Sequence, residues 1–82
     1  MKGDYEIVGL KHSKWTPQDS RREISGYSLF MTEERDDVDG LAVERAFITD
    51  AKLKGYTPAL GDVVNLIYNR FGKVDGVRLV NL

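Results

Sequence analysis

What most constrains the fold is how often the chain is interrupted. Glycine, proline and Asn/Asp-bearing turns separate five short segments rich in aliphatic and aromatic residues. No window carries a 3.6-residue apolar period long enough for a packed helical bundle. Tyr5 to Leu10 is the first predicted strand. Thr16 to Arg22 is a polar turn, because Pro17 fixes φ and Asp19 and Ser20 can bond the local backbone. Ile24 to Thr32 is the second strand, with Tyr27, Leu29 and Met31 on one face and Ser28 and Phe30 on the other. Gly26 within it marks a bulge or a close approach by another backbone. Glu33 to Gly40 is a charged loop closing a hairpin. Leu41 to Thr49 is the third strand, with Leu41, Val43, Arg45 and Phe47 on one side. Asp50 to Tyr56 is expected to be one helical turn or an irregular crossover, with Asp50 as N-cap. Pro58 to Asp62 turns the chain into a fourth strand, Val63 to Asn69. Phe71-Gly72-Lys73 turns it again into the last, Val77 to Leu82.

Five short strands with regular turn signals predict an all-β chain. Closure into a barrel is the common way for so small a sheet to avoid open edges. The expected architecture is a small five-stranded OB-like barrel, forming one domain over residues 1–82. At 82 residues there is no room for a second core. Area scaling gives roughly 5,000 Å² of folded surface against about 13,500 Å² unfolded, so about 63% is buried. Such a domain is marginal, and a second subunit adds stability readily.

The chain has no cysteine, which excludes disulfide frameworks, thiolate zinc sites and cysteine nucleophiles. A reducing cytoplasmic compartment is the simplest expectation. No apolar run approaches the ~20 residues of a membrane span. Met1-Lys2-Gly3-Asp4 leads into alternating polar and apolar residues, unlike a secretion signal.

Net charge is −1, from 12 basic and 13 acidic residues, which argues against a simple polycation. The distribution is uneven. Residues 1–32 carry 5 basic and 4 acidic side chains, 33–50 carry 2 and 7, and 51–82 carry 5 and 2. An acidic middle and a basic C-terminal third can set a positive groove beside a negative lobe.

Catalysis finds little support in these residues. His12 is the sole histidine, and nothing around Ser13 or Ser20 resembles a nucleophile elbow. An ordinary strand-edge histidine is the expectation. The run Glu33-Glu34-Arg35-Asp36-Asp37-Val38-Asp39-Gly40 partly matches a calcium loop. With Gly40 at loop position 6, however, Arg35 falls at position 1 and Ala46 at position 12, where ligands belong. A solvated hairpin tip is expected there. There is no glycine-rich phosphate loop and no His-x-x-x-His. No enzyme activity, metal or cofactor is predicted.

Binding of single strands needs aromatic faces for stacking and cations to track the backbone. Eight aromatics are present, several beside basic residues. Trp15 follows Lys14, Tyr27 follows Arg21 and Arg22, and Tyr56 follows Lys52 and Lys54. Tyr68 and Phe71 bracket Arg70, with Lys73 just beyond. Some rings must fill the core. Phe47 is assigned there, Phe30 suits either side, and Tyr68, alternating with Leu66 and Val64, could be core with its hydroxyl at the rim. Phe71 sits at a turn where burial is hard, which suits a ligand surface.

The order of short motifs is also informative. Asp19-Ser20-Arg21-Arg22 precedes Gly26-Tyr27-Ser28-Leu29. The acidic hairpin Arg35–Gly40 and Phe47-Ile48-Thr49 follow. Then come Tyr56-Thr57-Pro58-Ala59-Leu60-Gly61, Phe71-Gly72-Lys73 and Arg78-Leu79-Val80. This ordered set, spanning Tyr5 to Val80, resembles the small single-stranded-DNA-binding, helix-destabilising proteins of filamentous phages. It also resembles proteins of similar length encoded on phages and plasmids of Gram-positive bacteria. The resemblance implies an OB-like barrel with projecting hairpins, a two-fold homodimer and a role such as DNA replication. It implies that Tyr27 stacks on a base and that Arg21 and Arg22 contact phosphates. Phe71 would sit on a hairpin tip that reaches nucleic acid bound by the other subunit. Arg78 would be a basic residue of the closing strand, and Arg45 would take the place of a middle-strand lysine. Tyr56, Arg70 and Lys73 complete the candidate site. RNA is a second possible ligand, through which translational repression also comes into range. The chain departs from the pattern in Asp75, near the hairpin glycine, and in its acidic 33–39 loop. These departures suggest weak binding, or a negative loop that faces away from the nucleic acid; the alternative expectation is a protein-interaction module of a phage or plasmid element acting through its acidic hairpin.

Overall fold

The computed structural model describes residues 4–19 and 21–80. Ser20 of the basic-loop motif, and residues 81 and 82 of the expected last strand, lie outside them. The described chain is all-β with one helical turn. Its elements are β1 (Tyr5–Trp15), β2 (Ile24–Glu34), β3 (Leu41–Thr49), α1 (Asp50–Leu53), β4 (Val63–Tyr68) and β5 (Val74–Leu79). β3 has the predicted bounds. β1 runs five residues past the expected end because Lys11 to Trp15 pair with Ser28 to Ile24, although their outer surface is polar. Asp50 is the first helical residue, and the N-cap is Thr49.

All pairings are antiparallel, in the order β3-β2-β1-β4-β5. β1, β2 and β3 form a long meander. β4 and β5 form a separate hairpin that joins β1 only at Tyr5 and Glu6. Two further bonds extend that joint, Ile7 N–H to the Asp62 carbonyl at 2.9 Å and Gly61 N–H to the Ile7 carbonyl at 2.8 Å. β3 and β5 touch, but no ladder joins them. The expected closure of the sheet is therefore not seen. β5 reaches β3 but forms no ladder bonds with it, so the sheet stays open at that seam.

One bulge interrupts β1 between Ile7 and Gly9. The extra residue, Val8, is exposed. The core is formed by Ile7, Leu29, Met31, Ala46, Ile48, Leu53, Val64 and Val77. Phe47 is absent from it. Alternation puts Ala46 and Ile48 inward, so Phe47 faces outward and half-buried, against the expectation that it is core.

Gly26 is the end pair of a β2–β3 ladder that has no register shift, and a Cβ on it would meet the backbone of β3, so of its two expected meanings the close approach holds. The exposed surface is 6202 Å², well above the roughly 5,000 Å² of a compact chain this size. Among the described residues no helix is long and apolar enough to cross a membrane.

Candidate nucleic-acid interface

Paired residues in antiparallel strands share a face, so the register defines what each side of the meander presents. The core side takes Ile7 with Met31 and Leu10 with Leu29 and Ala46. The outer side takes Gly9 with Phe30 and Arg45, then Lys11 with Ser28 and Phe47. Ser13 with Gly26 and Thr49, then Trp15 with Ile24, complete it. The Val8 bulge matters here. It shifts β1 by one residue and brings Gly9, not a larger side chain, opposite Phe30.

Three rings thus lie on a floor of small residues. A Cβ on Gly9 would stand 3.1 Å from the Phe30 Cβ, and one on Gly26 would stand 2.7 Å from the Phe47 Cζ. Ser28, between them, is buried under its neighbours and accepts a long hydrogen bond from Arg45 Nη2 at 3.5 Å. The Arg45 guanidinium is 5.8 Å from the Phe30 ring centre, within cation–π range. Trp15 and Phe47 pack with centroids 5.3 Å apart and planes tilted by 55°. Phe30 and Phe47 are diagonal neighbours, which in such ladders places them about 7–8 Å apart. Both Trp15 and Phe30 keep an exposed face.

Charge favours the same surface. The outward positions from Gly9 to Trp15, Ile24 to Phe30 and Arg45 to Thr49 hold no carboxylate. They hold Lys11 and Arg45, and the exposed Arg21 and Arg22 lie in the loop that begins just past Trp15. The near-zero net charge of the chain thus hides a locally cationic aromatic row.

The sequence-predicted site residues fall in three places. Arg45, with Arg21 and Arg22 near its far end, belongs to the outer row. Tyr27 and Tyr56 are on the core side, half-buried, and line a groove with His12, Asp50 and Thr57. Arg70, Phe71 and Lys73 form the exposed tip of the β4–β5 hairpin. Arg78 is on β5, where its Nη2 donates to Asn65 Oδ1 at 3.0 Å. At the hairpin tip, Asn69 Oδ1 accepts from the backbone N–H of Phe71 at 2.8 Å and of Lys73 at 3.1 Å. Gly72 supplies the positive φ of 78° that closes the turn. The Arg70 guanidinium lies 5.1 Å from the Phe71 ring centre, and Phe71 is 74% exposed. Tyr68 is exposed as well, beyond the rim position expected for it. Trp15, Phe30, Phe47 and Lys11 were not among the candidates.

The core-side groove has a volume of about 290 Å³. Three groups that sequence left apart meet at its edge. The Ser25 hydroxyl donates to Asp50 Oδ2 at 2.6 Å, and Ser25 Oγ is 3.1 Å from His12 Nε2. His12 Nε2 is itself 3.7 Å from Asp50 Oδ2. This is not a nucleophile relay. In such a relay the serine gives its proton to histidine and the acid holds the opposite ring nitrogen. Here the acid takes the serine proton directly. The His12 ring also packs on Tyr27, with centroids 4.7 Å apart. Across the groove the Tyr56 hydroxyl donates to Asp62 Oδ2 at 2.5 Å. Burial, then Asp62, pushes the Tyr56 hydroxyl pKa upward, so the phenol stays protonated.

The acidic hairpin is partly neutralised from within. Arg35 Nε lies 3.4 Å from Asp37 Oδ1 and 3.7 Å from Glu33 Oε1. Among the described residues no three metal-ligating side chains converge. No family model, curated protein or solved structure matches the chain.

Proposed function

We propose that the chain binds single-stranded nucleic acid, DNA first and RNA second, across the outward face of the β1–β2–β3 meander. The observation that carries this reading is the carboxylate-free row of Trp15, Phe47 and Phe30 edged by Lys11 and Arg45. Each exposed ring offers a stacking surface worth about 1–3 kcal/mol per base. Stacking of this kind is tolerant of sequence, because every base has a π-face. Lys11, Arg45, Arg21 and Arg22 supply the phosphate contacts. No catalysis belongs to this reading. The strand order, with α1 between β3 and β4, supports an OB-like barrel left partly open between β3 and β5. The exposed Ile67, Tyr68 and Phe71 on the β4–β5 hairpin support a homodimer.

Trp15 is the sole tryptophan and stands in the row, so its emission reports the contact directly. Titration with oligo-dT at low salt is expected to quench it saturably, and added salt to reverse the quench through counterion uptake. Phe30→Ala, checked for native circular dichroism, is expected to weaken binding roughly tenfold. Absence of quenching at low salt, or affinity indifferent to both salt and Phe30→Ala, would refute the reading.

A further inference from the structure

We propose that the core-side groove bounded by His12, Tyr27, Asp50, Leu53, Tyr56 and Thr57 receives one unpaired guanine base, read by the Asp50 carboxylate. This deepens the single-strand reading and rests on it for how the base arrives. The groove's volume of about 290 Å³ leaves room for one base. Its walls suit a flat, stacking guest. The His12 and Tyr27 rings form one side. Tyr56 forms another, and because its hydroxyl is held by Asp62, it presents its ring and does not compete for the Watson–Crick edge.

Asp50 decides which base. An ionised carboxylate is acceptor-only, with about four lone-pair sites on two oxygens. Ser25 occupies one site on Oδ2 and holds the group in place. Guanine presents two adjacent donors, N1–H and the N2 amino group, spaced to meet both oxygens of a carboxylate. Adenine and cytosine set one donor beside an acceptor. Thymine and uracil set one donor between two carbonyls, which a carboxylate repels. Two lysines neighbour the groove residues along the chain or across the sheet. Lys54 lies between Leu53 and Gly55 of the groove lining. Lys14, beside Ser25 in the register, is exposed and 3.8 Å from Glu23. The groove and the aromatic row share one end of the meander. Trp15 and Thr49 are on its outer face, with His12 and Asp50 on or just past the same strands on the core side. A strand lying along the row can therefore turn over that end into the groove.

The test is an NMR titration of the whole chain with GMP, AMP, CMP and UMP in turn. GMP is expected to shift the His12, Tyr27 and Tyr56 side-chain resonances saturably, with the other three binding roughly tenfold more weakly. Asp50→Asn replaces one acceptor with a donor, and is expected to abolish the preference while Trp15 quenching by oligo-dT persists. A variant that loses native dispersion is replaced by Thr57→Trp, which fills the groove and should block GMP alone. Equal affinity for all four nucleotides, or an undiminished preference in a folded Asp50→Asn, overturns the guanine assignment. Oligo-dT binding is scored separately, so failure of the pocket and failure of the aromatic row are distinguishable.

Discussion

At Gly26 there is no room on β2 for a side chain beside β3. A Cβ there would stand 2.5 Å from the Ile48 carbonyl oxygen and 2.8 Å from the Thr49 Cα, both backbone atoms that cannot rotate away. Gly26→Ala is therefore expected to cost about 1–3 kcal/mol through overpacking. The expected outcome is a clear fall in the urea midpoint with an unchanged slope, and an unmoved midpoint would contradict it. The glycine's importance was legible in the sequence, since a glycine inside an apolar strand marks either a bulge or a close approach. Phe47 was not legible in the same way. Alternation in Leu41 to Thr49 sets Leu41, Val43, Arg45 and Phe47 against Ala42, Glu44, Ala46 and Ile48, and the face with more apolar bulk is not the one that meets the core. Ala46 and Ile48 take the inside because Leu29 and Tyr27, their partners on β2, already face that way.

At the scale of elements, the weak line is the junction of β1 with β4. Only Tyr5 and Glu6 of β1 have ladder partners there. Tyr5 is held at this junction with its hydroxyl pKa pushed up to about 12, first by burial and then by Tyr68, Glu33 and Glu44. The unfolded chain's tyrosines titrate near 10. The folded state therefore binds this proton more tightly than the unfolded one does. The resulting stability is whole below about pH 10 and is lost as pH rises toward about 12. Urea midpoints are expected to hold up to about pH 10 and then fall, with Tyr5→Phe falling less steeply over that window. An equal slope in both proteins would sink this account. The starts of β1 to β4 were readable because turns carry their own chemistry, whereas β1 and β2 run past their expected ends and β5 is Val74–Leu79 where Val77 to Leu82 was expected. The aromatic row was not readable, because it depends on register across three strands. That register is set by the Val8 bulge, whose one local mark is Gly9, a glycine inside a strand that does not say whether a residue is extra or a neighbour is close.

The whole molecule is long for its size, with principal extents of 44 × 25 × 21 Å. Its radius of gyration is 13.7 Å, against about 12 Å for a compact chain of this length. The 11-residue strands β1 and β2 and the unclosed sheet suit such a shape. The β4–β5 hairpin leaves exposed the apolar side chains on which dimerisation would depend. Sedimentation across a wide concentration range is expected to show a species of about twice the 9.3 kDa chain mass. Phe71→Ser should shift that equilibrium toward monomer without unfolding the chain, since Phe71 makes no core contact. A monomer at every concentration would remove the dimer from the reading. The small-residue floor beneath the outer rings has one more consequence. Gly9, Gly26 and Ser28 hold the strands together whatever rests on them, while Trp15 and Phe30 each keep a face to solvent. On the proposed reading, fold and ligand preference would then be written at separate positions, and one ring could be exchanged for another, shifting what is recognised, without relearning how to fold.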